Sequence, residues 1–330
     1  MANAPLKKAL VTLIIGDSYV EAFEKYIQPT WKPYAEKHGY DIVALTDLID
    51  QDCDLSRKSI HWQKLLIGLH PQLKEYDRLV WIDSDILINY HIAPCIVSAH
   101  TGTGIGGVAT SPPDWGMGGQ AFGRSSLHSI MQQLRICAHR APPRPVSILQ
   151  SNYQDYYRVM GLEGTADQMI NTGVLVFDPA VHASLLAEVY LKHEKNFIDF
   201  EMTPLSFEIL EQGLFDPLDE RFNMPWSQVV LRHYPFLFNN EFLHAHPDLI
   251  VQCVNATFRQ SWFLHFAGTS KHPITKLPLH SVDITCPDLP DLVFPDMKDQ
   301  WREWFEFVDE IGFRKRFAER SAGRDIDVFI

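Results

Sequence analysis

A run of β-forming apolar residues, Leu79-Val80-Trp81-Ile82, leads straight into two carboxylates spaced i, i+2, Asp83 and Asp85. A second apolar run, Ile86-Leu87-Ile88, follows at once. No other stretch constrains the fold as strongly. A strand buried on both faces reads as a continuous apolar run, and open α/β sheets place their ligands at the carboxyl ends of such strands. Two acids there lie close together at the floor of a cleft. They repel, which raises one pKa unless a cation sits between them. Oxygen ligands suit a hard cation such as Mg²⁺ or Mn²⁺, and such a cation suits a diphosphate. The stretch therefore reads as a metal–diphosphate site. Taken alone the motif is weak, because aspartates also cap turns and helices. A phosphatase-like reading, strand then D-x-D-x-T/V, fails at Leu87 and at the two candidate strands that precede the motif.

The first of those strands is residues 9–15, ending at Gly16-Asp17-Ser18. Side chains Tyr19, Val20, Phe23, Tyr26 and Ile27 recur at helical spacing, so a helix is expected next, breaking near Pro29 or Pro33. Residues 41–45 read as the second strand, after a stop at Gly39. A β-α-β opening suits a nucleotide-binding half sheet. Residues 61–73 read as a helix with Trp62, Leu65, Leu66, Leu69 and Leu73 on one face and Lys64 beside it, and Pro71 can end it early. Beyond the acids, residues 92–99 are mostly apolar and 105–109 read as a short strand. Residues 112–119 form a Gly-rich loop with one Trp, either a lid or a surface turn, 126–138 read as a helix, and 142–145 as a rigid connector. Residues 174–177 form a buried strand entered through Asn171-Thr172-Gly173, which by itself reads as a turn, and 183–197 an amphipathic helix.

A chain of 330 residues is one large α/β domain or two ordinary ones. The expected division is a main domain over 1–285, then a Pro/Asp-rich linker and an amphipathic helix over 286–330. Trp301, Trp304, Phe305, Val308 and Ile311 mark that helix, which suits packing onto the domain or onto a second subunit. The net charge of −12, with no long basic block, argues against nucleic acid and anionic membrane as partners. Five cysteines, widely spaced and in no CxxC pair, read as reduced thiols of a cytoplasmic protein. The apolar run near the amino terminus is too short for a membrane span, so no integral membrane segment is expected. The sequon Asn255-Ala256-Thr257 carries no weight without a secretory signal.

Read in order, several segments resemble the GT-A glycosyltransferases, above all the retaining enzymes of glycosyltransferase families 8 and 34. Trp62, Lys64, Tyr76, Trp81, Asp83 and Asp85 follow a family pattern of W-x-K, a spacer, then Y-D-x-x-x-W-x-D-x-D. Asn171-Thr172-Gly173-Val174 resembles a second segment, Asp219-Glu220-Arg221-Phe222-Asn223 a third, and His265-Phe266-Ala267-Gly268-Thr269-Ser270-Lys271 a fourth. The resemblance covers roughly residues 8–271. It implies a mixed α/β sheet with helices on both faces, a UDP- or GDP-sugar donor, a carbohydrate or other hydroxyl acceptor, and Mn²⁺ or Mg²⁺ held by Asp83, Asp85 and His265. On the donor side it implies Thr12, Gly16 and Tyr19 near the nucleoside, with Lys64, Asp83, Ser84, Gly268 and Lys271 near the diphosphate. Asn171 and Asp167 would face the sugar, an amide being able both to donate to and to accept from hydroxyls. The family's D-Q-D segment is missing, and Glu201 and Glu208 are the carboxylates available in its place, with Ser206 as a hydrogen-bonding substitute. Retention by front-face attack is what the families imply, whereas an inverting enzyme would use a carboxylate base. Two other readings compete. A nucleotidyltransferase would show a Gly-rich signature after the first strand, which Gly16-Asp17-Ser18-Tyr19 is not. A binding or scaffold protein of the same fold would have no use for an intact Asp83, Asp85, His265 and Lys271.

Overall fold

A computed structural model describes residues 6–109, 153–193, 197, 200–238, 240–267 and 281–285. The chain divides into two units, Met1–Ile284 and Thr285–Ile330, and the described strands and helices lie in the first. The expected loop at 112–119, helix at 126–138, connector at 142–145 and carboxyl-terminal helix lie outside the described residues, as do Gly268 and Lys271.

The central sheet contains β1 (Lys8–Leu13), β2 (Asp41–Leu45), β3 (Arg78–Ile82), β5 (Ile105–Ala109), β6 (Ile170–Phe177) and β7 (Phe215–Pro217), in the order β2-β1-β3-β6-β5-β7. Strands β1, β2 and β3 are parallel, with Val11 opposite Val43 and Trp81. Strand β6 runs against both β3 and β5, and β7 is parallel to β5, so the sheet is mixed. A second sheet holds β4 (Ile86–Ile88), β8 (Met224–Pro225) and β9 (Phe263–His265) in the order β4-β9-β8.

Side chains of a strand alternate between faces, and here each face has its own core. Leu10, Val80, Ile82, Val174 and Val176 pack with Trp31 and Tyr34 of α2 (Gln28–His38) and with β4 and β9. Ala9, Val11, Leu79, Trp81, Leu175 and Phe177 pack against a 3₁₀ helix (Ile60–Leu69), α5 (Pro179–Lys192) and α6 (Met202–Glu211); α5 and α6 follow α3 (Ile96–Ala99) and α4 (Tyr153–Val159) in the chain. Helical elements thus cover both faces of the mixed sheet.

Several elements differ from the sequence reading. The helix after β1 does not break at its prolines. It begins as α1 (Asp17–Ala22), passes through a π turn (Phe23–Ile27) and continues as α2 to Gly39, whose φ of 70° caps it. Pro29, just past the π turn, and Pro33 each forfeit a backbone bond in a helix held by buried Trp31, Tyr34 and Ala35. The segment expected as a helix over 61–73 is 3₁₀ over Ile60–Leu69 and Pro71–Leu73. Three residues per turn align Trp62, Leu65 and Gly68, all buried, on one row. Gly68 lies so close to α5 that a Cβ there would meet Ala183 Cβ at 2.6 Å. Helix α5 starts at Pro179, well before the expected 183, because Asp178 accepts from Ala180 N–H at 2.9 Å and Pro179 suits a first turn. Asn171-Thr172-Gly173 is no turn: it lies inside β6, which is buried throughout.

Candidate functional site

Strand β3 ends at Ile82, and the next residue, Asp83, donates its N–H to Gly173 O of β6 at 2.8 Å. One carboxylate oxygen, Oδ1, is fully engaged: Trp81 Nε1–H donates to it at 2.7 Å and Lys64 Nζ at 3.0 Å. The other, Oδ2, faces His265 Nε2 at 3.8 Å. The antiparallel pairing of β4 with β9 sets Ile86 opposite His265, which brings the imidazole beside Asp85. Asp85 Oδ1 is buried and 3.2 Å from His265 Nε2, yet no hydrogen bond of acceptable geometry satisfies it. One ligand atom from each of Asp83, Asp85 and His265 lies within 4.8 Å of the others.

The imidazole is held from behind. Its Nδ1 lies 2.8 Å from Asn223 Oδ1, Asn223 Nδ2 donates to Asn171 O at 3.1 Å, and Asn171 Oδ1 accepts Gly173 N–H at 3.0 Å. Beside this lies a buried charge network. Lys64 Nζ reaches Glu201 Oε1 at 2.8 Å, Asp83 at 3.0 Å and Thr172 O at 3.2 Å, while Thr172 Oγ1 donates to the same Glu201 oxygen at 2.9 Å. Glu201 occupies the N-cap position of α6. The preceding Phe200 has φ 62° and stacks on His61 at 4.5 Å. Strain of that kind in a non-glycine residue survives only where its surroundings hold it.

Electrostatics follow from these contacts. Burial alone would push the Asp83 carboxyl up, but Lys64 and then His265 outweigh it and hold the group below the usual carboxylate range. Burial would push the His265 imidazole down, and the Asp85 carboxylate outweighs that and raises it. Lys64 is raised too, its desolvation overcome by Asp83 and Glu201.

Asp83 Oδ2, the orphaned Asp85 Oδ1 and His265 Nε2 form a two-carboxylate, one-imidazole donor set suited to a divalent cation. The observation that fits is Asp85 Oδ1: it is buried without a hydrogen bond on a side chain 43% exposed, which leaves it open to a cation.

The remaining candidates divide. Thr12 lies in β1, buried, its Oγ1 without a hydrogen-bond partner, and the parallel pairing brings the end of β1 to the edge of the sheet where Asp83 lies. Gly16 (φ 100°) opens α1 and Tyr19 is 64% exposed there. Ser84 is half-buried between the two acids. Asp167 is exposed ahead of β6. Glu208 pairs with Lys192 at 2.7 Å and His193 at 3.3 Å, and Ser206 exchanges hydrogen bonds with the Ile170 backbone, so both tie helices and strands together. Lys64 is enclosed between two carboxylates rather than open to solvent. Three contributors escaped the sequence reading: Trp81 as a donor to Asp83, Thr172 as a donor to Glu201, and Asn223 behind His265. Trp81 sits two residues before Asp83, on the same face of the strand, which was the available signal.

No family model matches the chain, and no curated protein matches it. Among solved structures, a glycosyltransferase involved in glycosylation of the major capsid of PBCV-1 is similar at 12% identity and a TM-score of 0.47, over 83% of this chain and 98% of that one. The WbbM bifunctional glycosyltransferase is similar at 13% identity and 0.46, over 82% and 47%. The galactosyltransferase LgtC, in complex with donor and acceptor sugar analogues, gives 13% and 0.42, over 82% and 92%. Likeness at this level leaves the chemistry to be read from the site itself.

Proposed function

We propose that this chain is a GT-A glycosyltransferase that moves a sugar from a nucleotide-diphosphate donor, a UDP- or GDP-sugar, to a hydroxyl acceptor with retention. One observation carries the reading. The end of β3 and the end of β9 bring Asp83, Asp85 and His265 together, with the outer oxygen of Asp83 and the orphaned oxygen of Asp85 turned toward Nε2. When bound, Mn²⁺ or Mg²⁺ would neutralise charge on the departing nucleoside diphosphate.

The chain's own residues do the rest. Trp81 and Lys64 fix Asp83 on one oxygen and leave the other for ligation. Glu201 offsets the Lys64 charge, so the two aspartates keep their net negative charge for the cation. Because Glu201 is buried against Lys64 and Thr172, and Glu208 is bound to Lys192 and His193, neither is available as a base. Among the described residues that supports retention, with the acceptor hydroxyl attacking on the face the diphosphate leaves and passing its proton to the departing phosphate oxygen. Lys271 and Gly268, in the segment after β9, are proposed to meet the diphosphate. Thr12 in β1, Gly16 at the start of α1 and Tyr19 within it would meet the nucleoside, and Asn171 and Asp167 the sugar. No described helix is long and apolar enough to cross a membrane.

The test is release of nucleoside diphosphate from a panel of nucleotide sugars with Mn²⁺, Mg²⁺ or EDTA, for wild type and Asp85→Asn. Metal-dependent release from one donor, lost in the variant, supports a transferase and names its sugar. If none is released, calorimetry with nucleoside diphosphate and Mn²⁺ decides, and no binding there refutes the reading.

A further inference from the structure

We infer that Asn223 is a positioning residue that fixes the tautomer and the aim of His265, presenting the Nε2 lone pair to the metal. The inference rests on the metal-site reading above and deepens it.

A neutral imidazole has one N–H and one lone pair, and the partner of one nitrogen decides what the other can do. His265 Nδ1 meets Asn223 Oδ1 at 2.8 Å. The orientation of an amide is assigned from its hydrogen bonds, and here the other half of the amide settles it. Nδ2 lies 3.1 Å from Asn171 O, a backbone carbonyl that can only accept, so Nδ2 must be the donating end. Oδ1 is then the acceptor and His265 Nδ1 carries the proton. Nε2, 3.2 Å from Asp85 and 3.8 Å from Asp83, is left with the lone pair. Both groups are buried, Asn223 at 2% exposure and His265 at 3%, so water offers no competing partner.

A second observation concerns the seat of the ring. A Cβ at Gly173 would lie 2.4 Å from His265 Cε1 and 2.8 Å from Nδ1. The imidazole therefore rests directly on the Gly173 backbone, with Asn223 at its Nδ1. The cluster joins three strands: Asn171 and Gly173 from β6, His265 from β9, and Asn223 beside β8. Partners of this kind behind a metal-bound histidine commonly govern affinity as strongly as some ligands do.

The amide does two separable jobs, and the test uses that. Asn223→Leu removes acceptor and donor alike, whereas Asn223→Asp keeps an acceptor toward Nδ1 while losing the donation to Asn171 O and adding a carboxylate, the partner that metal-bound histidines commonly have. Mn²⁺ binding is measured by calorimetry for wild type and both variants. The expected result is a 10–100-fold weaker Kd for Asn223→Leu and a Kd within about threefold of wild type for Asn223→Asp. Folded Asn223→Leu that binds Mn²⁺ as wild type does, or Asn223→Asp that loses as much as Asn223→Leu, overturns the assignment. Should neither variant fold, nitrogen chemical shifts of His265 in the metal-free wild type at pH 9 decide directly. Among neutral rings Nδ1–H with a bare Nε2 is expected, and the other tautomer or a mixture of the two overturns it. Wild type that binds no Mn²⁺ would refute the metal-site reading instead, while the ring shifts would still decide the role of Asn223.

Discussion

Replacing Lys64 by Met, nearly the same in length and without the charge, should destabilise the metal-free protein by about 3–5 kcal/mol. The magnitude follows from the geometry. One ammonium nitrogen touches Asp83 at 3.0 Å and Glu201 at 2.8 Å, so the two carboxylates cannot be more than about 6 Å apart. Without the cation they repel by about 3 kcal/mol at an effective dielectric constant of 20, with little solvent to screen them around the buried Glu201. Asp83 keeps its bond from Trp81 and Glu201 its bond from Thr172, so the loss is mainly electrostatic. Urea unfolding in EDTA, followed by circular dichroism, measures the cost. Adding Glu201→Gln removes one of the two opposed charges, and the double variant should recover about 2 kcal/mol relative to Lys64→Met alone. A single variant within 1 kcal/mol of wild type, or a double variant no better than the single, would refute the argument that Lys64 separates two buried charges.

Gly173→Ala should weaken Mn²⁺ binding by about tenfold or more, read by calorimetry, because its Cβ would push the His265 ring off its seat. Gly68→Ala, whose Cβ would meet Ala183 Cβ at 2.6 Å, should cost about 1–3 kcal/mol in urea unfolding without altering the metal site. Metal binding should release a proton below the folded value of the metal-free His265, which is held above its ordinary one and must lose its proton to ligate. Apparent affinity should then fall about tenfold per pH unit below that raised value, and calorimetry in two buffers of different ionisation enthalpy would count the proton. For the metal-free fold the signs are opposite for the two groups. The raised His265 stabilises fully below about pH 6.5 and loses that contribution as pH climbs through its folded value. The lowered Asp83 stabilises above about pH 3.8 and loses its share as pH falls through its own folded value.

What the sequence disclosed of this molecule follows the range of its signals. β3 was legible because Leu79 to Ile82 are buried on both faces, and Asp83 and Asp85 because they interrupt that run. Periodicity misled where a tighter helix satisfied the same spacing, as over Ile60–Leu69, and where burial outweighed a proline, as at Pro33. Asn171 to Gly173 read as a turn because polarity hid a strand whose amide is bonded locally and whose Thr172 is bonded to Glu201. The identity of each ligand was local information, but the company each keeps was not. Whether Lys64 faces solvent or Glu201, and whether Glu201 is free to act as a base, depends on packing between the 3₁₀ helix, β6 and α6, which no window of neighbouring residues contains.

The pairing of β4 with β9 also bears on when the site can exist. Asp83 and Asp85 are made early in synthesis and His265 late, and only the Ile86–His265 register unites them. A growing chain is therefore blind to metal until its distant strand has docked and the entropy of closing a very long loop has been met. A cation bound at the proposed site would from then on favour only the finished fold, by about 2.7 kcal/mol at a hundredfold excess over its dissociation constant. Under the proposed function, the same three side chains that would serve turnover would also latch the finished fold, tying β4 to β9 across a long stretch of chain.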